Sequence, residues 1–366
     1  MEKGNLSTRT VNFFNRIMNN SFLNMRIPRN LLSYDGGIAT VNLNGKCNFV
    51  NKNGELLSEQ WFDSCDDFHE GFGKVELNGK YNVINKNGEL LSKEWFDDCC
   101  GDFCEGFSGV ILNNKYNYID ENGNFLSEQW FDYCDDFHEG FAMVKLSGKW
   151  NFIDNNGNIL SDQWFDTCWD FINGLARVKV NNKCNLIGKD GKFLSEQWFD
   201  WCGDFHEGFG LVVLNGKCNF IGKSGNILSD KWFDNCGSFH EGFATVELND
   251  KWNYIDKNGG SISKQWFDFC CCFHKGFARV KLNDKWNFID KNCNIISKQW
   301  FDWCSDFEEG FAEIQLNGKC NFIDKNCKVL SEQWFDGCNG FHEGFARVQL
   351  NGEWKSIDKK GNLHSI

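Results

Sequence analysis

Apolar residues along this chain alternate, turn and alternate again. In Phe-Ala-Met-Val-Lys-Leu, residues 141–146, Ala142, Val144 and Leu146 fall on one side, the period-two pattern of a half-buried strand. Ser147-Gly148 offers a tight turn, and residues 149–154, Lys-Trp-Asn-Phe-Ile-Asp, return as a second strand. The equivalents of Gly148 are Gly45, Gly79, Asn114, Asn182, Gly216, Asp250, Asp284, Gly318 and Gly352. All of these tolerate the left-handed backbone that a hairpin turn requires. Asn156-Gly157 marks the next turn, and residues 158–160 read as a short third strand. Ser161, ahead of Trp164-Phe165-Asp166, suggests a capped helical or 3₁₀ turn, and Asp166 could cap the turn after it. Gly174 leads into the next strand.

Equivalent positions separate inside from outside. After the Ala of Gly-Phe-Ala the chain accepts Thr40, Lys74, Gly109, Met143, Arg177, Leu211, Thr245, Arg279, Glu313 and Arg347, so that side of the strand is expected to be solvated. Val144 and Leu146 have apolar counterparts throughout and mark the core side. The returning strand is restricted on both sides, which predicts cover on both faces. Two registers compete. A two-residue loop pairs Leu146 with Lys149; a three-residue loop pairs Leu146 with Trp150 and Val144 with Phe152. The second gathers the large apolar groups and is the expected one.

The pattern repeats. Trp-Phe-Asp begins at Trp61, Trp95, Trp130, Trp164, Trp198, Trp232, Trp266, Trp300 and Trp334, 34 residues apart except for one step of 35 beside Cys99-Cys100. Propeller blades need four strands and about 40–45 residues. The expected fold is therefore all-β: a repeat protein, an open superhelix or solenoid of stacked, about three-stranded β-hairpin units, spanning residues 36–366. Each unit has too little core alone and is expected to bury its aromatic side against the next. Residues 1–35 differ. Ser7 could cap a short N-terminal helix through about Phe22, with Val11, Phe14 and Met18 at helical spacing, as a cap on the array.

The unit resembles the WG-repeat (KWG-repeat) proteins in its Gly-Lys-Trp, the Ile-Asp that follows, the Asn-Gly turn and the Glu-Gly-Phe-Ala corner. The resemblance covers about residues 36–360 and implies an array of β-hairpin units with no catalytic residues to carry over. Two departures stand out. The family's Gly after Trp is Asn here, as at Asn82, Asn151 and Asn253, and the Trp is often Cys or Tyr, as at Cys47, Tyr81, Cys184 and Cys320. Asn tolerates positive φ, so a bulged or left-handed backbone at these positions is one expectation. An Asn side chain bonded to a neighbouring unit is the other.

Composition narrows the function. A formal charge of −13 disfavours nucleic acid and anionic membrane surfaces, both of which want Lys/Arg stripes. No apolar run approaches the roughly 18–20 residues of a membrane span. The N-terminus shows no continuous apolar stretch of signal-peptide type. With an odd count of 19 Cys, free thiols in the cytoplasm are the expectation.

Candidate chemistry is repeated rather than unique, which favours architecture over a reaction centre. A Cys follows every Trp-Phe-Asp, at Cys65, Cys99 or Cys100, Cys134, Cys168, Cys202, Cys236, Cys270, Cys304 and Cys338, and reads as a ladder of small buried residues. A metal alternative joins Cys65 with His69, Cys134 with His138, Cys202 with His206, and Cys236 with His240, four ligands coming from two adjacent units. Cys270 with His274 and Cys338 with His342 extend it. Disulfides between neighbouring units are a further alternative, and Cys202 with His206 is a conceivable nucleophile–base pair. No P-loop, GxGxxG after a strand, HExxH or GxSxG occurs, and no cofactor is expected. The residue before the Cys varies freely yet is aromatic at Tyr133, Trp201, Phe269 and Trp303, a candidate binding stripe. The leading expectation is a non-enzymatic scaffold for protein–protein binding. The alternative is a carbohydrate or cell-surface binding array.

Overall fold

The turn decides the register. In a computed structural model, which describes residues 37–365, both central residues of each hairpin turn have positive φ: 51° and 75° at Asn215-Gly216, 54° and 58° at Asn249-Asp250. That local twist suits two antiparallel strands joined by two residues. Leu146 accordingly pairs with Lys149, Lys145 with Trp150 and Met143 with Phe152. The expected pairing of Leu146 with Trp150 is displaced by one residue. Asn151, Phe152 and Ile153 are all buried, as the two-sided restriction predicted. A strand buried on both faces gives hydrophobicity no register to choose, so turn geometry sets it.

Each 34-residue unit is a three-stranded antiparallel sheet. Among the described residues ten sheets follow in order: two strands at Ile38–Leu43 and Lys46–Asn51, then eight sheets of three strands, then four strands between Gly337 and Ser365. The added strand is a lead strand that begins one residue before the repeated Cys. Tyr133–His138 pairs with Phe141–Leu146, and Asn235–Cys236 with Phe243–Leu248. Residues 158–160, expected as the third strand, contribute a lone bridge from Ile159 to Ile153. No helix occurs among the described residues. The expected helical turn at Ser161 is a two-residue hydroxyl turn, Ser161 Oγ accepting from the Gln163 N–H at 3.2 Å. The helix expected within residues 1–35 lies outside the described residues.

The Asn beside the Trp position is a clamp. Asn151 is absent from the positive-φ residues, as are Asn219 and Asn287, so the left-handed backbone expected there is not formed. Its Nδ2 donates to the Ser161 carbonyl at 2.7 Å and the Gln163 carbonyl at 3.3 Å, and its Oδ1 accepts from the Phe152 N–H at 2.8 Å. Two carbonyls of an irregular loop and one N–H of the strand find partners on one amide.

Contacts divide the chain into two compact units: residues up to Asn181 with Leu186–Phe193, and Asn182–Asn185 with Leu194 onward. Within each, consecutive sheets share a core. In the first, Tyr118 and Phe131 meet Phe137, Ala142, Val144 and Ile153 of the next sheet. In the second, Phe220 and Phe233 meet Phe239, Ala244, Val246 and Ile255. Phe239 sits between Phe209 and Phe220, ring centres 4.8 and 5.0 Å away.

Polar groups repeat the same join. Lys149 Nζ donates to Asp166, whose second oxygen accepts from the Asn181 N–H of the next turn at 2.6 Å. Glu207 accepts from the Glu241 and Gly242 N–H groups of the next corner at 2.7 and 2.8 Å, with Lys257 at 3.1 Å.

Candidate functional site

The register creates a three-residue row across every sheet that has a lead strand. Cross-strand partners share a face, so the residue before the repeated Cys, one residue of the hairpin's first strand and the residue at the Trp position line up. The rows run Tyr133–Lys145–Trp150, Phe269–Lys281–Trp286, Trp303–Gln315–Cys320 and Trp201–Val213–Cys218. The four residues singled out from the sequence therefore occupy one structural position. All four are exposed, at 39% for Tyr133, 46% for Trp201, 42% for Phe269 and 38% for Trp303.

The structure joins some of these rings through residues that sequence reasoning did not name. Tyr133 lies 5.4 Å from Tyr116 of the preceding sheet and 5.7 Å from Trp150 of its own. Phe269 lies 5.8 Å from Trp252 and 6.2 Å from Trp286. Two aromatic ladders result, one in each compact unit, with Lys145 Nζ 5.1 Å from the Trp150 ring centre. The signal for the missing members was the Trp position itself, wherever it keeps Trp or Tyr. The Tyr133 hydroxyl is pushed up first by the Asp135 carboxylate, then by burial, Tyr116 and Asp136.

Where the Trp position holds Cys, the ladder gives way to a crosslink. Cys47, Cys184, Cys218 and Cys320 bond to Cys65, Cys202, Cys236 and Cys338, with Cα–Cα distances of 5.9–6.1 Å and a separation of 18 residues in every case. Each bond ties one sheet to the lead strand of the next. Where the position is aromatic, the facing thiol stays free, as at Cys99, Cys134, Cys168, Cys270 and Cys304. The repeated Cys is thus a small packed residue in some repeats and half of an inter-sheet bond in others.

Several of the candidate chemical groups are tied up in this arrangement. Cys65, Cys202 and Cys236 of the metal alternative are in disulfides, and among the described residues no three His, Cys, Asp or Glu side chains are placed to hold a metal ion together. His69 points instead toward Asp102, Nδ1 to oxygen 3.7 Å. Cys202 has no thiol to offer His206. Burial pushes the Cys99 and Cys134 thiols up to about 12, so they are protonated and poorly nucleophilic at neutral pH. A cleft of about 510 Å³ beside Asp256, Lys257, Ser261 and Lys291 includes one thiol, Cys293, also pushed up by burial.

Comparison with known proteins agrees with the repeat geometry. The pattern of the WG containing repeat matches residues 49–81, 118–150, 152–184, 186–218, 220–252, 254–286, 288–320 and 322–354. No curated protein matches the chain. Among solved structures it is similar to a eukaryotic initiation factor at 11% identity, covering 77% of this chain and 92% of that one, TM-score 0.31. It is similar to BamB from Moraxella catarrhalis at 8% identity, covering 92% and 94%, TM-score 0.25. Apo AztD from Citrobacter koseri matches at 9% identity, covering 79% and 92%, TM-score 0.26. Similarities of this size carry no argument. The repeats do, and on them the chain belongs to the WG containing repeat family.

Proposed function

We propose that the protein is a non-enzymatic repeat scaffold that binds a protein partner along its exposed aromatic rows, its sheets following an open superhelical course. The carrying observation is that Tyr133, Trp201, Phe269 and Trp303 stand out at one position of four different sheets, while the repeated Lys–Asp pairs and the four disulfides join sheet to sheet. Exposed aromatic residues set among polar neighbours are the usual anchors of protein interfaces. The protonated thiols, and the repetition of the candidate chemical groups from unit to unit, support a binding role over catalysis.

A glycan is the second reading. The observation favouring it is that Lys281 and Gln315 share rows with Phe269 and Trp303, giving hydrogen-bonding groups beside flat apolar faces. A glycan array separates the two. The four disulfides support an oxidising compartment over the cytoplasm expected from the sequence. No helix among the described residues is long and apolar enough to cross a membrane.

The test replaces Tyr133, Trp201, Phe269 and Trp303 together by Ser and measures affinity for a partner purified from the native source. Loss of a hot-spot ring costs about 2 kcal/mol or more, so the variant should bind at least about tenfold more weakly with its unfolding temperature unchanged. Unchanged affinity contradicts the proposal.

A further inference from the structure

The repeats supply their own comparison. In the strand Phe277–Leu282, the Arg279 guanidinium donates to both oxygens of Asp306, at 2.7 and 3.3 Å, and to the Cys304 carbonyl at 3.0 Å. Its carbon lies 5.6 Å from the Trp286 ring centre. A carboxylate, a carbonyl and a ring face together make a slot for a planar cation. Lys74 uses the equivalent ring in the same way, its Nζ 4.5 Å from the Tyr81 centre.

Five repeats before Arg279 the same three groups recur as Asp136, the Cys134 carbonyl and Tyr116, but the position of the arginine is Gly109. The register matches. Arg279 faces Phe288 and Lys281 faces Trp286, as Gly109 faces Tyr118 and Ile111 faces Tyr116. Asp306 is half covered by its arginine, whereas Asp136 is exposed and joins no ion pair among the described residues.

We propose that this vacated slot receives an arginine side chain of the protein partner, with the Asp136 carboxylate, the Cys134 carbonyl and the Tyr116 ring taking the places that Asp306, Cys304 and Trp286 take around Arg279. The inference rests on the protein-scaffold reading and gives the partner a chemistry: an arginine-bearing segment. Arginine fits better than lysine because its planar fork can bond a carboxylate twice and lie on a ring. The net charge of −13 favours encounter with a basic segment.

The test titrates Nα-acetyl-arginine methylamide, and its lysine counterpart, into the full chain while following the amide shifts of Gly109, Tyr116 and Asp136. Saturable shifts are expected at these residues, with the lysine compound at least about threefold weaker. Gly109→Arg should abolish them by refilling the slot from within. Gly109 lies outside left-handed backbone, and a Cβ there meets only the Cys100 sulfur at 3.1 Å. Asp136→Asn, at an exposed site, should weaken binding about tenfold and keeps the test open should Gly109→Arg misfold. Absence of saturable shifts, or shifts that persist unchanged in both variants, overturns the proposal. A partner held equally by the wild type and by folded Gly109→Arg sinks the slot and leaves the scaffold reading. Probe binding with no protein partner in the native source sinks the scaffold reading and leaves the slot.

Discussion

Asn151 shows how one residue type can be readable and its purpose not. Asn follows the Trp position at Asn48, Asn82, Asn117, Asn151, Asn185, Asn219, Asn253, Asn287 and Asn321. That regularity marks the position as constrained. Asn has two uses that Gly lacks or shares: tolerance of positive φ, and an amide that donates twice and accepts. Only the loop that returns ten to twelve residues later selects the second. Asn151→Ala leaves two carbonyls and an N–H without a buried partner, at about 1–3 kcal/mol each if water cannot reach them. We expect a loss of about 3 kcal/mol in urea unfolding, and a change below about 0.5 kcal/mol would show that the amide is not a clamp. The Cys column has a similar history. Cys47, Cys184 and Cys320 were visible as replacements of Trp, and the Cys after Trp-Phe-Asp was visible as a ladder. That the two columns face each other depends on the lead strand, which the alternation did not reveal.

At the scale of the sheet, the hairpin strands and both turns were legible because period-two alternation and positive-φ residues act locally. The lead strand was not. In six of the nine repeats it is only two residues long, as at Thr167–Cys168, too short for any periodicity. The register was misjudged for a related reason: both faces of the returning strand are buried, so apolarity could not specify which pairs meet. The polar joins between sheets carry a pH dependence. The Asp of each Trp-Phe-Asp is held below the usual carboxylate range first by the Lys of the preceding hairpin and next, in Asp63 through Asp302, by a backbone N–H of the following turn. Asp336 is lowered by Lys319 in the same way. A depressed folded pKa contributes stability above the unfolded value of about 3.9, and that contribution is lost as pH falls toward the folded value. Asp170 and Glu313 are raised by burial and act in the opposite sense, two groups against nine. The unfolding temperature should hold from pH 7 to about pH 4 and fall below it. A temperature that stays level or climbs between pH 4 and pH 2.5 would contradict the role given to these pairs.

At the scale of the whole molecule, repetition was the strongest signal in the sequence, and the shared cores explain it. Phe233 and its equivalents are completed by the next sheet, so a residue change in one repeat is felt in its neighbour. The surface was partly legible. The variable position before the Cys was identified as exposed, and its rings are, but Trp150 and Trp286 join them only through the register of their own sheets, and Tyr116 and Trp252 only once sheets are placed next to one another. The central claim is that the Trp position of each sheet meets the lead strand of the next. A peptide map of the non-reduced protein under native conditions tests this most directly. The account predicts links Cys47–Cys65, Cys184–Cys202, Cys218–Cys236 and Cys320–Cys338, with Cys99, Cys134, Cys168, Cys270 and Cys304 unlinked. Links between successive ladder cysteines, such as Cys202 to Cys236, would contradict it.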